Sequence, residues 1–230
     1  MVLPSPFSTI VHVVNTKVEK GNGRSERVPT RRMDAADRPE VIAMTARAFW
    51  DDPLIDFFTR DLLHEYRVLP NVFDGYLKDL VGPRAEVWVG DCGGRPRGVA
   101  GWLAPGGFPR PVAQEARRSA RAAAVLIRGR HRLKALRLFR EVDRHHPHEP
   151  HWYLALLATD PTVQGRGIGT ALLVPVLDQC DQDGTVAYTE TQKEANVAWY
   201  ARAGFDVARE IRLSDTPTVW CLRREPRPGV

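Results

Sequence analysis

A chain of 230 residues, 43% hydrophobic and 27% charged, has enough length and apolar content to bury a sizeable core, which argues against a disordered or fibrous protein. No run approaches the roughly 20 apolar residues of a bilayer span. The short apolar patch at residues 9–14 is interrupted by His12 and has no basic residues before it, so it lacks the form of a secretory signal, and a cytoplasmic location is expected. Three scattered cysteines, Cys92, Cys180 and Cys221, exclude a disulfide framework, and the formal charge of +5 is too small by itself to define a nucleic-acid-binding protein.

Residues 1–28 mix proline, glycine and polar residues, which predicts a flexible tail contributing at most a short strand, with one domain over residues 29–230. Arg31, Arg32 and Met33 are expected to form a first strand. Asp34 or Asp37 is placed to cap a helix with Pro39 in its first turn, carrying Val41, Ile42, Thr45, Ala46 and Phe49 at helical spacing. Asp51-Asp52-Pro53 breaks that helix, because the residue before proline avoids the α region. A second amphipathic helix is expected over residues 68–80. Two β-rich runs, 86–90 and 99–103, flank a turn at Cys92-Gly93-Gly94 and predict a hairpin with Trp88 and Trp102 in its strands.

Residues 110–144 hold ten arginines and one lysine against Glu115, Glu141 and Asp143. Two helical patterns are expected there, separated near Gly129, the second with an apolar face of Leu133, Leu136, Phe139 and Val142. A solvated basic face accounts for the arginines; nucleic acid is the alternative partner, but no recognised nucleic-acid motif accompanies it. His145, His146, His148 and His151 invite a metal reading. Pro147 and Pro150 stiffen the segment and no carboxylate or cysteine spacing completes a known site, so no metal is expected and the segment reads as a turn into a central strand.

That strand, residues 152–159, leads into Gln164-Gly165-Arg166-Gly167-Ile168-Gly169-Thr170 and then an apolar helical run containing Pro175. Glycines let a backbone approach a ligand closely, and the free N–H groups at a helix start attract anions. The endings required by a dinucleotide fold or a phosphate loop of NTPases are missing. Residues 186–191 alternate, placing Val186, Tyr188 and Glu190 on one face of a strand. Asn196 and Tyr200, four apart on a short helix closed by Gly204, share a face.

Gln164-x-x-Gly167-x-Gly169 behind Asp160-Pro161 resembles the acetyl-CoA signature of the GNAT acetyltransferase superfamily. From His145 onward, His145-x-Pro147-x-Glu149-Pro150-x-Trp152, the glycine loop, Glu190-Thr191, Asn196, Tyr200, Gly204-Phe205 and Trp220-Cys221 resemble the branch acting on aminonucleoside antibiotics of the puromycin kind. The resemblance implies an α/β fold with a mixed, mostly antiparallel twisted sheet flanked by helices and splayed at the acetyl-CoA site. It implies direct acetyl transfer to a primary amine of a small molecule, an aminonucleoside or another xenobiotic amine, with protein amines, a non-catalytic acyl-CoA-binding module and a nucleic-acid-binding module as alternatives. Leu157, Ala158 and Thr159 would bond the pantetheine through the backbone, residues 164–170 the pyrophosphate, and Asn196 with Tyr200 the remainder of the cosubstrate. Tyr200 is the candidate general acid and Glu190 the candidate base, since an ammonium with a pKa of about 8 to 10.4 must lose a proton before it attacks. Asp51, Asp52, Phe58, Trp102 and Glu190 are candidates to line the acceptor pocket. Monomer and homodimer both remain open.

Overall fold

The alternation around Gly93-Gly94 does close a hairpin, β3 (Ala85–Cys92) with β4 (Arg95–Leu103), and the sheet grows from it in both directions. A computed structural model of the chain describes residues 12–13, 28–59, 61–80, 82–107 and 131–227. Among these, β1 is His12–Val13, β2 Thr30–Arg32, β5 His151–Thr159, β6 Val186–Thr191, β7 Asp206–Ile211 and β8 Val219–Arg224. The strand order is β2-β3-β4-β5-β6-β8-β7, with β1 added beside β5. Only the β5–β6 and β1–β5 pairs are parallel, so the sheet is mixed and mostly antiparallel.

Helix α1 (Arg38–Ala48) begins after Asp37 with proline in its first turn, as the sequence leads one to expect. Helix α2 (Pro53–Phe58) follows at once. Helix α3 (Leu62–Asp79) starts six residues before the apolar pattern suggests, because the Asp61 carboxylate accepts from His64 N–H at 2.8 Å and caps it. Helix α4 (Arg132–Arg144) is the second of the two helical patterns in the basic segment; the first lies outside the described residues. Its buried face is Ala135, Leu138, Phe139 and Val142, whereas Leu133 is 74% exposed. A strict spacing of three drifts around a helix of 3.6 residues per turn, so the first member of the expected stripe leaves the core.

One face of the sheet is covered by α1, α3 and α4, where Met44, Phe49, Phe73, Leu138 and Phe139 meet Val89, Val99, Tyr153 and Tyr188. The other is covered by α5 (Ile168–Asp183) and α6 (Glu194–Arg202), where Leu172, Val176, Trp199 and Tyr200 meet Ala100, Trp102, Leu154 and Leu157. Helix α5 runs through Pro175. Its start lies so close to the sheet that a Cβ on Gly98 would stand 2.5 Å from Ile168 Cγ2.

The strand β5 carries the decisive irregularity. Trp102 pairs with Leu154 while Gly101 pairs with Leu156, leaving Ala155 as an extra residue. Ala155 and Leu156 consequently join the same core cluster instead of opposite ones. Such a bulge bends its strand, and β5 is paired with β6 only over His151–Tyr153 against Val186–Tyr188. Beyond that point the two strands part.

Candidate active site

The parting of β5 and β6 creates a slot whose β5 edge has backbone groups pointing away from β4. At its closed end the Thr189 hydroxyl donates to the Leu154 carbonyl at 3.1 Å, beyond the last backbone pair of the two strands. Along the slot, Leu157 and Ala158 pair with His12 and Val13 of β1. This edge therefore accepts an extended backbone running parallel to β5. A pantetheine arm, which is extended and carries amide groups, has the chemistry to make the same bonds.

The slot leads to the glycine loop. Gly165 and Gly167 both have φ of +79°, a region a side chain disfavours, and Gly167 N-caps α5 without any side-chain hydrogen bond to the helix. The first N–H groups of α5 are left to an anionic ligand, and the exposed Arg166 stands in the same turn. Gln164 points inward: its amide donates to the Thr159 carbonyl at 3.2 Å and ties the loop to the end of β5. Ile168 and Gly169 are buried, and Trp199 closes over Gly169, where a Cβ would come within 3.3 Å of the indole; Thr170 is exposed.

The loop is held by a residue that the glycine pattern did not single out. Asp160 has no exposure, and its carboxylate accepts from Arg47 at 2.6 Å, Arg97 at 2.8 Å, Thr162 N–H at 3.0 Å and the Thr162 hydroxyl at 2.8 Å. Burial opposes ionisation, but these hydrogen bonds outweigh it and hold the carboxyl well below the ordinary range. The only sequence signal was the Asp-Pro-Thr turn opening, which makes Asp160 an N-cap.

On the opposite wall Asn196 and Tyr200 are both fully buried on α6. The Asn196 amide donates to the Thr191 hydroxyl at 3.0 Å. Tyr200 is wedged edge-on between Trp199 and Phe205, with ring centroids 4.9 and 5.4 Å away. Burial raises its phenol well above the usual value, the neighbouring Thr189 hydroxyl pulling the other way and the Glu190 charge adding to the rise. Glu190, two residues past the last β5–β6 pair, is buried on the opposite face of β6 from Thr189 and Thr191.

The acceptor-side candidates divide. Asp51 is exposed and pairs with Lys193 Nζ at 2.6 Å, joining the α1–α2 turn to the start of α6. Asp52 is buried and caps α2 by accepting from Leu54 and Ile55 N–H at 2.9 and 3.3 Å, and burial pushes its carboxyl up to about 7. Phe58 packs on Phe139 at 5.4 Å in the core, and Trp102 has no exposure and sits among the residues under α5. Buried Glu65 on α3, also pushed up to about 7 by burial and by the charges of Asp56 and Asp51, belongs to the same region and was missed because nothing in its helical pattern marks it. His146 and His151, in the segment read as a turn into the central strand, are both buried, and His146 Nδ1 stands 3.4 Å from Glu190 Oε1. Among the described residues no group of three or more histidine, cysteine, aspartate or glutamate side chains is placed to hold a metal ion, and no helix is long and apolar enough to cross a membrane.

A slot between two parted strands that leads to a glycine loop at a helix start is the arrangement found in acyl-CoA-dependent transferases. The family model for the acetyltransferase (GNAT) family matches residues 48–205, and the chain belongs to that family. The fold is similar to histone acetyltransferase HPA2 and related acetyltransferase from Corynebacterium glutamicum, with a TM-score of 0.66 and 20% identity over 89% of this chain and 99% of that one. It is similar also to the polyamine N-acetyltransferase of Drosophila melanogaster, TM-score 0.52 and 17% identity over 86% of this chain and 99% of the other. A structure of yncA from Salmonella typhimurium with its cofactor acetyl-CoA matches at a TM-score of 0.50 and 13% identity over 89% and 97% of the two chains.

Proposed function

We propose that the protein transfers an acetyl group from acetyl-CoA directly to a primary amine of a small molecule, with Tyr200 as general acid and Glu190 as base. The observation that carries this reading is the β5 edge at Leu157 and Ala158, open to an extended backbone and continuous with the uncapped start of α5. The cosubstrate supplies a thioester carbonyl for the amine to attack. Leu157, Ala158 and Thr159 hold its amide arm, and the N–H groups of residues 165–170 with Arg166 hold its phosphates. Asn196 fixes the start of α6 against β6, keeping Tyr200 in place.

Tyr200 retains its proton at neutral pH, so it can deliver that proton to a departing thiolate. Cys180 and Cys221 do not compete as nucleophiles: both are buried and their thiols are pushed up to about 12, so neither supplies a thiolate for an acyl-enzyme. Puromycin and related aminonucleosides are the first acceptors to try, on the likeness of residues 145–221 to puromycin N-acetyltransferase. Polyamines and agmatine come next, because buried Asp52 and Glu65 lie with Asp51 and Asp56 on the acceptor side.

Calorimetric titration with acetyl-CoA tests the reading. Micromolar binding is expected for the native chain. Gly167→Trp is expected to abolish it, since a side chain at a φ of +79° strains the turn and occupies the space that the phosphates need. A folded native protein that binds no acetyl-CoA overturns the assignment.

A further inference from the structure

The mechanism above leaves two buried histidines without a task. His146 follows α4 and His151 opens β5; they are 3% and 4% exposed. The His146 ring lies edge-on to Tyr153 and Tyr188, at 4.8 and 4.7 Å. Its Nε2 is 2.9 Å from His151 Nε2, and its Nδ1 is 3.4 Å from Glu190 Oε1. His151 Nδ1 stands 2.7 Å from the Glu149 carbonyl oxygen.

The proton positions follow from what each atom can do. A carbonyl only accepts, so His151 Nδ1 carries a hydrogen. Neutral His151 then has a bare Nε2, and the hydrogen in the 2.9 Å contact belongs to His146 Nε2. Neutral His146 is left with a bare Nδ1 turned toward the Glu190 carboxylate. Two sets of lone pairs at 3.4 Å repel, and a single proton entering the pair converts that repulsion into attraction. Burial pushes His146 down to about 3, with the His148 charge acting in the same direction, and burial lowers His151 also. Burial thus disfavours an imidazolium on either ring, which leaves the carboxyl as the seat for the proton in the proposal below.

We propose that His146 acts through Glu190, its bare Nδ1 sharing the proton that Glu190 removes from the acceptor amine and making the carboxylate a stronger base than it would be alone. The inference rests on the acetyltransferase reading. In the step, an ammonium N–H bond breaks, a Glu190 O–H bond forms and donates to His146 Nδ1, and the freed electron pair on nitrogen attacks the acyl carbon. The C–S bond then breaks as Tyr200 gives its proton to the departing thiolate, the adduct nitrogen passes its second proton to Tyr200, and Glu190 releases its proton to water, which restores the starting charge of the site. The other titratable groups around the pair do not compete near neutrality. Tyr188 and Tyr200 are raised well above the usual value by burial, Cys221 is pushed up to about 12, and Glu149 is held ionised by Arg223. His151 is fixed by the Glu149 carbonyl, and the Tyr153 ring stands perpendicular to that of His146.

The test combines spectroscopy with rates. In protein labelled with nitrogen-15 histidine, NMR should show His151 as the Nδ1–H tautomer and His146 as the Nε2–H tautomer. An infrared band of a protonated carboxyl should titrate with pH and vanish in Glu190→Gln. In His146→Gln, whose side-chain N–H₂ can still donate to His151, the acid limb of the pH–kcat profile should move to lower pH and the plateau should fall about tenfold, with KM for acetyl-CoA unchanged. His151 as the Nε2–H tautomer, or an unmoved limb in an active enzyme, overturns the proposal alone. No turnover with any amine, while acetyl-CoA still binds, overturns the acetyl-transfer reading and the rate effect with it.

Discussion

Tyr200→Phe is expected to lower kcat by about 10²- to 10⁴-fold, the usual range for loss of a positioned acid, while acetyl-CoA binds as before. The ring fills the same space between Trp199 and Phe205, so packing is kept and only the hydroxyl beside Thr189 disappears. Loss of the hydroxyl's hydrogen bond with Thr189 should cost about 1 kcal/mol of stability and leave the fold intact. Rate and binding should therefore separate cleanly, and single-turnover measurements beside calorimetry would show it. Equal losses in affinity and rate would mean that Tyr200 serves the shape of the site rather than proton delivery.

Asp160→Ala should have the largest effect on folding. It leaves Arg47 and Arg97 without their common partner and frees the turn at Pro161 from its cap. Breaking a buried ion pair typically costs about 3–5 kcal/mol. Side-chain exposures of 49% for Arg47 and 29% for Arg97 let water take over part of their solvation, which brings the expectation to about 2–3 kcal/mol. Urea unfolding measures it directly. The pH dependence has a definite sign. The folded carboxyl ionises below the unfolded value of about 3.9, so its stabilisation is complete above that value and disappears as pH falls through the folded one. The variant should lose the corresponding part of the acid-unfolding slope, and acetyl-CoA affinity should fall because Asp160 fixes the loop entrance.

The order of strands and helices was largely legible because each is amphipathic in its own period. The hairpin β3–β4, the strand β6 and the start of α1 with proline in its first turn all follow from residue patterns. The glycine loop was legible for the same local reason: its turn needs positive φ at two positions. The slot itself was not, since it arises from a one-residue bulge at Ala155, and an apolar run reads the same with or without a slip of register. The contacts of His146 and Asp160 were not legible because their partners are distant in the chain. Glu190 lies 44 positions beyond His146, and Arg47 lies 113 positions from Asp160. Helical spacing ranks neighbours along a chain and is silent about contacts of that kind.

The pairing of His12 and Val13 with Leu157 and Ala158 has a thermodynamic consequence. One backbone edge cannot serve two partners, so on the proposed reading the chain's own beginning and the pantetheine arm are mutually exclusive ligands. Displacing this two-residue pairing at a cost of about 2 kcal/mol would reduce the apparent affinity for acetyl-CoA by up to roughly 30-fold. A chain beginning at residue 28 should bind correspondingly more tightly in calorimetry, with an unchanged rate once saturated. The occupied fraction of the enzyme at a given acetyl-CoA concentration is then a property of an end of the molecule that takes no part in the chemistry.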